Sequence, residues 1–340
     1  MPPETIALAP IRARRLPRFR RASQEEQPAF RLTDRDRELL KVIYEYRFIT
    51  AEMLQDLVPD VELTDRQKEA LERLIQARRA KLTGKESSER QAAPTKRKIL
   101  HRLMVLYHNG YVQRHKLSDQ EPIVYALGNK GADELVLYYG IDRKEIDWTQ
   151  RARENGERYI RHGLMVGRFH HALVRTVREL PGVTLLFWKP GGAFKASVKY
   201  KDLVKTREGS RTQLVEGAVI PDGYFALTFG DKTAYFFLEA DRSTMSNVRY
   251  LAKLKAYYHF WYTQIRPGKH PSGMTRFRVL TVTLSEERKD NLRETAREIG
   301  AEGKAPNLFW FACERSYRDE PEKVISPIWQ TLQDDTLKSL

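Results

Sequence analysis

The chain of 340 residues contains a single cysteine, Cys313, and no long apolar run. One cysteine excludes an intramolecular disulfide and any cysteine-built zinc site; within "LFWFAC" it reads as a small core residue. The longest apolar runs, such as Ala234 to Leu238, fall far short of the roughly 20 residues that a bilayer-spanning helix needs. Also missing is an apolar leader segment followed by a small-residue cleavage site, which points to the cytoplasm. There is no glycine-rich phosphate loop, no nucleophile elbow and no histidine-rich relaxase motif. ATP hydrolysis, esterase chemistry and tyrosine-type nicking are thereby set aside.

Acidic charge is in short supply as well. The net charge is +15, and residues 1–120 carry 25 Lys and Arg against 17 Asp and Glu, so the N-terminal third is the more basic part per residue. Such a balance points to a polyanionic partner, in the first place nucleic acid. Residues 1–29 are rich in Pro, Arg and Glu without any period and read as a disordered basic arm. Its charge sits on Arg12, Arg14, Arg15, Arg18, Arg20 and Arg21. That composition suits an arm lying along phosphates or in a minor groove, and equally a solvated tail.

Residues 30–145 read as one domain. "LTDRDRELLKVIYEYRFIT" offers Thr33 or Asp34 as a helix cap and repeats Leu39, Leu40, Ile43 and Tyr44 at helical spacing; Thr50 caps a second, short helix. A segment at about 64–94, a polar helix and then a loop, reads as an insertion. In "TKRKILHRLMVLYHNGYV" the spacing puts Ile99, Leu100, Leu103, Leu106 and Tyr107 on one face, with Gly110 as the C-cap. The opposite face begins with Lys96, Arg97, Lys98, His101 and Arg102. Two extended runs around "SDQE" form a hairpin, which adds Arg114 and Lys116. Helix, short helix, basic helix and hairpin is the order of a winged helix-turn-helix, whose basic helix enters a groove of roughly 12 Å in double-stranded DNA. Winged helices also serve as protein-binding modules.

Residues 151–315 give a helix, three strands, a long helix, a strand, a helix and a strand. The expectation for the chain is therefore an α+β protein whose second domain is an α/β sandwich with a mixed sheet. Residues 316–340 read as a tail or helix. Period-two alternation points Glu239 and Asp241 to the same side of one strand, and Asp222 opens the strand before it. Carboxylates gathered at one sheet edge need a cation. Either Mg²⁺ or Mn²⁺ fills that need, or basic side chains such as Arg242 or Lys253 do.

The pattern "PD" followed by "ExD" resembles the signature of the PD-(D/E)XK (restriction-endonuclease-like) nuclease superfamily. More specifically, "LTDRDRELLKVIYEYRFITAEML", "RKILHRLMVLYHNGYV", "YALGNKGADEL", "PDGYFAL", "FFLEADRST" and "KLKAY" together resemble the replication-relaxation proteins of plasmids and other mobile elements, over Arg31 to Tyr258. The resemblance implies Asp222 and Glu239 as metal ligands and puts Asp241 where an active nuclease has its lysine. The lysine then has to come from the following helix. Lys253 is preferred over Lys255, with Arg242 and Lys201 as weaker substitutes, and Glu154 or Glu157 stands as a fourth ligand. His162 matches a histidine of the family, and His170 and His171 share its helix without metal-ligand spacing.

Three functions follow. The leading one is a DNA-binding accessory factor of a mobile element. The second is a Mg²⁺-dependent endonuclease working as a homodimer, since one site cuts one strand. The third is an adaptor recruiting a relaxase or replication initiator through the aromatic stretch Tyr257 to Tyr262, which packing against the sheet explains more cheaply.

Overall fold

A computed structural model describes residues 17, 20–27, 30–58, 94–146, 148–206, 209–300 and 307–340. It separates into two compact units, Met1–Glu154 and Asn155–Leu340. The expected insertion helix and loop lie outside the described residues, as do Arg14, Arg15 and Arg18.

In the first unit, Thr33 starts helix α1 (Asp34–Tyr46) through a reciprocal cap: its hydroxyl accepts the Asp36 N–H at 3.3 Å, and Asp36 Oδ2 accepts the Thr33 N–H at 2.7 Å. Leu39, Leu40 and Ile43 form its buried stripe. Strand β1 (Ile49–Thr50) leads into α2 (Ala51–Leu57), where the Thr50 hydroxyl accepts the Met53 N–H. Helix α3 (Pro94–His108) ends as Gly110 turns to φ 88° and the Tyr111 N–H returns to the Leu106 carbonyl. Strands β2 (Val112–His115) and β3 (Val124–Leu127) follow, and β1 pairs with β3 to complete an antiparallel sheet of order β1-β3-β2. Helix α4 (Asn129–Tyr139) closes the unit; a Cβ at Gly131 would stand 2.2 Å from the Tyr111 carbonyl oxygen, so only glycine permits that approach.

Two features depart from the sequence expectations. Residues 20–27 are not a free arm: Ala22 is buried, its N–H donates to His108 Nδ1 at 3.0 Å, and Arg21 donates to the Val112 carbonyl. Burial and the nearby Arg114 and Arg21 charges lower the His108 pKa, which keeps its ring neutral and able to accept that bond. Leu100, expected in the buried stripe of α3, is exposed, while Ile99, Leu103, Val105 and Leu106 are buried.

In the second unit, helix α5 (Trp148–Glu179) is interrupted at Gly156, with φ 62° and ψ −150°, close to the boundary between the units. Six strands form the mixed sheet: β4 (Val183–Pro190), β7 (Gly223–Phe229), β8 (Lys232–Asp241), β9 (Arg278–Thr283), β10 (Phe309–Cys313) and β11 (Gln330–Thr331), in the order β11-β10-β9-β8-β7-β4. β8, β9 and β10 run parallel; the other pairings are antiparallel.

Strand alternation sorts the apolar side chains onto two faces. Phe236, Leu238 and Ala240 pack with Phe169 and Leu173 of α5, whereas Phe237 and its neighbours meet helices α6 (Asn247–Phe260) and α7 (Glu286–Gly300). An unanticipated hairpin, β5 (Ala196–Thr206) and β6 (Gly209–Val219), lies against α6 as a separate two-stranded sheet. Residues 316–340 are not a loose tail. They supply β11 and the fully buried Trp329.

Candidate functional site

The alternation that buries Phe237 also turns Glu239 and Asp241 toward α6 and α7. Asp222, one residue before β7, is drawn alongside by two bonds to β8: its N–H donates to the Leu238 carbonyl, and its Oδ2 accepts the Ala240 N–H at 2.9 Å. His162 Nε2 of α5 lies 3.2 Å from the same oxygen. From α6, Lys253 donates to Glu239 Oε2, and one turn later the Tyr257 hydroxyl donates to Glu239 Oε1 at 2.5 Å. Lys255, two residues on, points elsewhere and pairs with Asp202 of the hairpin at 2.7 Å.

These contacts set the charges of the cluster. Burial opposes ionisation of Asp222, but the His162 and Lys253 charges and the bonds from His162 and Ala240 outweigh it and bring the carboxyl down to about 2. Glu239 moves the other way. Burial pushes its carboxyl up to about 7 against the pull of Lys253, with Asp222 adding to the rise. Burial would lower His162 and Lys253, yet the neighbouring carboxylates keep both pKa values raised. Burial and Glu239 raise Tyr257 far above the usual phenol range, so it remains a donor.

Asp241 does not join this cluster through any hydrogen bond. Arg288 of α7 holds it in a two-pronged pair at 2.9 and 3.2 Å, and the Ser243 N–H caps it. Its expected place beside the chemistry is therefore taken by a structural ion pair. Glu157 pairs with Arg161 on the exposed side of α5, Glu154 lies outside the described side chains, and Lys201 is exposed on the hairpin. His170 is buried and stacks on Trp188, with a centroid separation of 4.2 Å.

Among the described residues no three His, Cys, Asp or Glu side chains are grouped to hold a metal ion. The chain's own donors occupy most of the carboxylate oxygens that Mg²⁺ or Mn²⁺ would use. Both Glu239 oxygens are engaged by Lys253 and Tyr257, and Asp222 Oδ2 by His162 and the Ala240 N–H, which leaves Asp222 Oδ1, at the low end of the one or two carboxylates that these ions take. Tyr257 and Arg288 were missed by sequence reasoning; Tyr257 was traceable as the residue one turn beyond Lys253, but Arg288 has no local signal.

In the first unit, Lys98 and His101 of α3 are exposed with Leu100, and Lys96 and Arg97 fall among its undescribed side chains. Arg102 is committed to the fold. Its guanidinium grips the buried Asp36, with Nε on Oδ1 at 2.5 Å, bonds the Arg31 carbonyl, and lies over the Phe30 ring. A helix-end arginine that reads as solvent-facing neutralises a carboxylate that is 1 % exposed. Arg114 rests over the Tyr107 ring and Lys116 pairs with Asp119. Arg102→Ala leaves Asp36 buried without its cation. Because Arg102 is itself about a third exposed, the loss expected is about 2 kcal/mol, below the usual range for a broken buried pair, and a denaturant titration of the first unit reads it.

The architecture and the cluster define an α+β protein with a mixed sheet and a buried carboxylate–lysine group at one strand end. The family model of replication-relaxation proteins matches residues 77–272, more than half of the chain, and the chain belongs to that family. The match spans α3, the hairpin and the Asp222, Glu239 and Lys253 cluster, and starts after α1 and α2. No match is found among curated proteins or among solved structures. No helix among the described residues is long and apolar enough to cross a membrane.

Proposed function

We propose that the chain is a double-stranded DNA-binding accessory protein of a mobile element, acting in plasmid replication, relaxation or mobilisation. In this reading the first unit is a winged helix-turn-helix and the second a nuclease-like domain that does not cut. The observation that carries it is the order α1-β1-α2-α3-β2-β3, with β1 returning to β3 and the start of α3 exposing Lys98, Leu100 and His101. Family membership supports the cellular setting. The absence of cutting rests on Glu239, whose two oxygens are held by the chain's own lysine and tyrosine.

A second reading, a metal-dependent endonuclease with its lysine on the following helix, is favoured by one fact: Lys253 stands beside both Asp222 and Glu239. The adaptor reading loses most of its support, since Tyr257, Tyr258 and Phe260 are buried and only Tyr262 of the stretch is well exposed. Supercoiled plasmid incubated with Mg²⁺ or Mn²⁺ separates the first two. The expected result is a gel shift without nicking for the parent, Asp222→Ala and Glu239→Ala alike. Nicking by the parent that both substitutions abolish would establish the enzyme instead.

A further inference from the structure

The β5–β6 hairpin gives the Asp222, Glu239 and Lys253 cluster no hydrogen bond. Its strands pair in unbroken antiparallel register from Ala196↔Val219 to Thr206↔Gly209. A lone two-stranded ribbon is marginal in water, and here one face is secured: Val198, Tyr200 and Val219 are buried toward α6. The Tyr200 ring stacks on His259 at 4.1 Å. At Gly217 a Cβ would come within 2.8 Å of Ala256, so the missing side chain lets ribbon and helix touch.

Among the described residues of the second unit, nothing covers the opposite face. Period two places Lys199, Lys201 and Leu203 on it from β5, and the register sets Leu214 directly across from Lys201. Leu203 and Leu214 are 63 % and 70 % exposed, too much for side chains that serve packing. Lys199 and Lys201 make no ion pair among the described residues. Of the described acids of the hairpin, Asp202 pairs with Lys255, while Glu216 sits on the outer face directly across from Lys199 and accepts the Ser197 hydroxyl. The described outer face thus carries Lys199 and Lys201 against the one carboxylate of Glu216, with the exposed Leu203 and Leu214 beside them. Its net charge is positive, which a polyanion complements.

We propose that this outer face is a second contact to duplex DNA, with Lys199 and Lys201 on phosphates and Leu203 and Leu214 against the apolar edges within the groove. It rests on the DNA-binding reading above. The major groove admits a two-stranded ribbon, with phosphate contacts fixing position and apolar ones meeting sugars and thymine methyls. The hairpin runs through Ile220 and Pro221 directly into Asp222.

The test is fluorescence anisotropy of a labelled mixed-sequence duplex with the full chain across a salt series. Lys199→Ala with Lys201→Ala is expected to flatten the plot of log affinity against log salt by roughly 2, about 0.9 for each phosphate that is no longer neutralised. Leu203→Ser with Leu214→Ser is expected to weaken binding at every salt concentration and leave the slope unchanged. All four positions are exposed, and unaltered thermal melts check the fold. Parent-like affinity and slope in both variants overturn the hairpin contact while DNA binding by the chain stands. A parent that does not bind duplex at all overturns both. Undisturbed binding together with a lowered sedimentation coefficient in the variants identifies a self-association face and likewise overturns the proposal.

Discussion

Trp329→Ala is expected to cost 3–5 kcal/mol, the range of a fully buried tryptophan emptied to alanine, and to lower the melting transition of the second unit accordingly. The side chain is fully buried, its indole N–H donates to the Val324 carbonyl at 2.8 Å, and its ring meets Phe169 of α5 edge-on at 6.3 Å. Around it the chain is pinned by paired backbone bonds between Trp329 and Lys338 and by β11 on the sheet edge. Arg293 adds bonds to the Thr331 and Asp334 carbonyls. Trp329→Phe keeps much of the apolar volume and is expected to recover more than half of the loss. Truncation after residue 315 removes the plug altogether and should leave the second unit unable to melt cooperatively in a calorimeter. A truncated chain melting at the parent temperature would show that the segment is only draped over the core.

What the sequence made legible and what it hid divide along the range of the interactions. Strands β7 and β8 announce themselves as short apolar runs, and the two-residue period of any strand is enough to place Glu239 and Asp241 on one side. The helical spacing within α6 separates Lys253 from Lys255, which the structure sends to Glu239 and Asp202. Charges were read less well, because a charge's meaning depends on what it faces. Arg102 looked like one more cation of a DNA-facing helix, but its carboxylate lies 66 positions earlier; Asp241 looked like a site residue, but its arginine lies 47 positions later. The β5–β6 hairpin escaped because its outer face is lysine-rich and its inner face is completed by α6, dozens of residues downstream. Trp329 belongs to a stretch too polar and too short for periodicity to mark it.

Lys253→Met should give the most informative pH dependence in the molecule. Glu239 has a folded pKa near 7 against an ordinary 4.5, so between those values the native state binds the extra proton and stability falls as pH rises. Asp222 behaves oppositely: with a folded value near 2 its contribution is full above 3.8 and is lost as pH drops through about 2. His162, raised above 6.5, contributes fully below that value and loses its share as pH climbs through the folded one. The second unit is therefore expected to be most stable in mildly acidic buffer. Removing the Lys253 ammonium leaves Glu239, only 5 % exposed, either charged without its cation or protonated at the cost of a pKa raised further. At pH 8 to 9 that should cost about 3 kcal/mol, the scale of a broken buried pair, and far less at pH 5, where Glu239 is already neutral. Adding Glu239→Gln to Lys253→Met should restore most of the alkaline loss, giving a coupling that a double-mutant cycle measures directly. Equal losses at both pH values, or no rescue by the second substitution, would mean that Lys253 is held by packing and not by charge. The same lysine would then be available to a substrate, and the case for a domain that has stopped cutting would lose its main physical support.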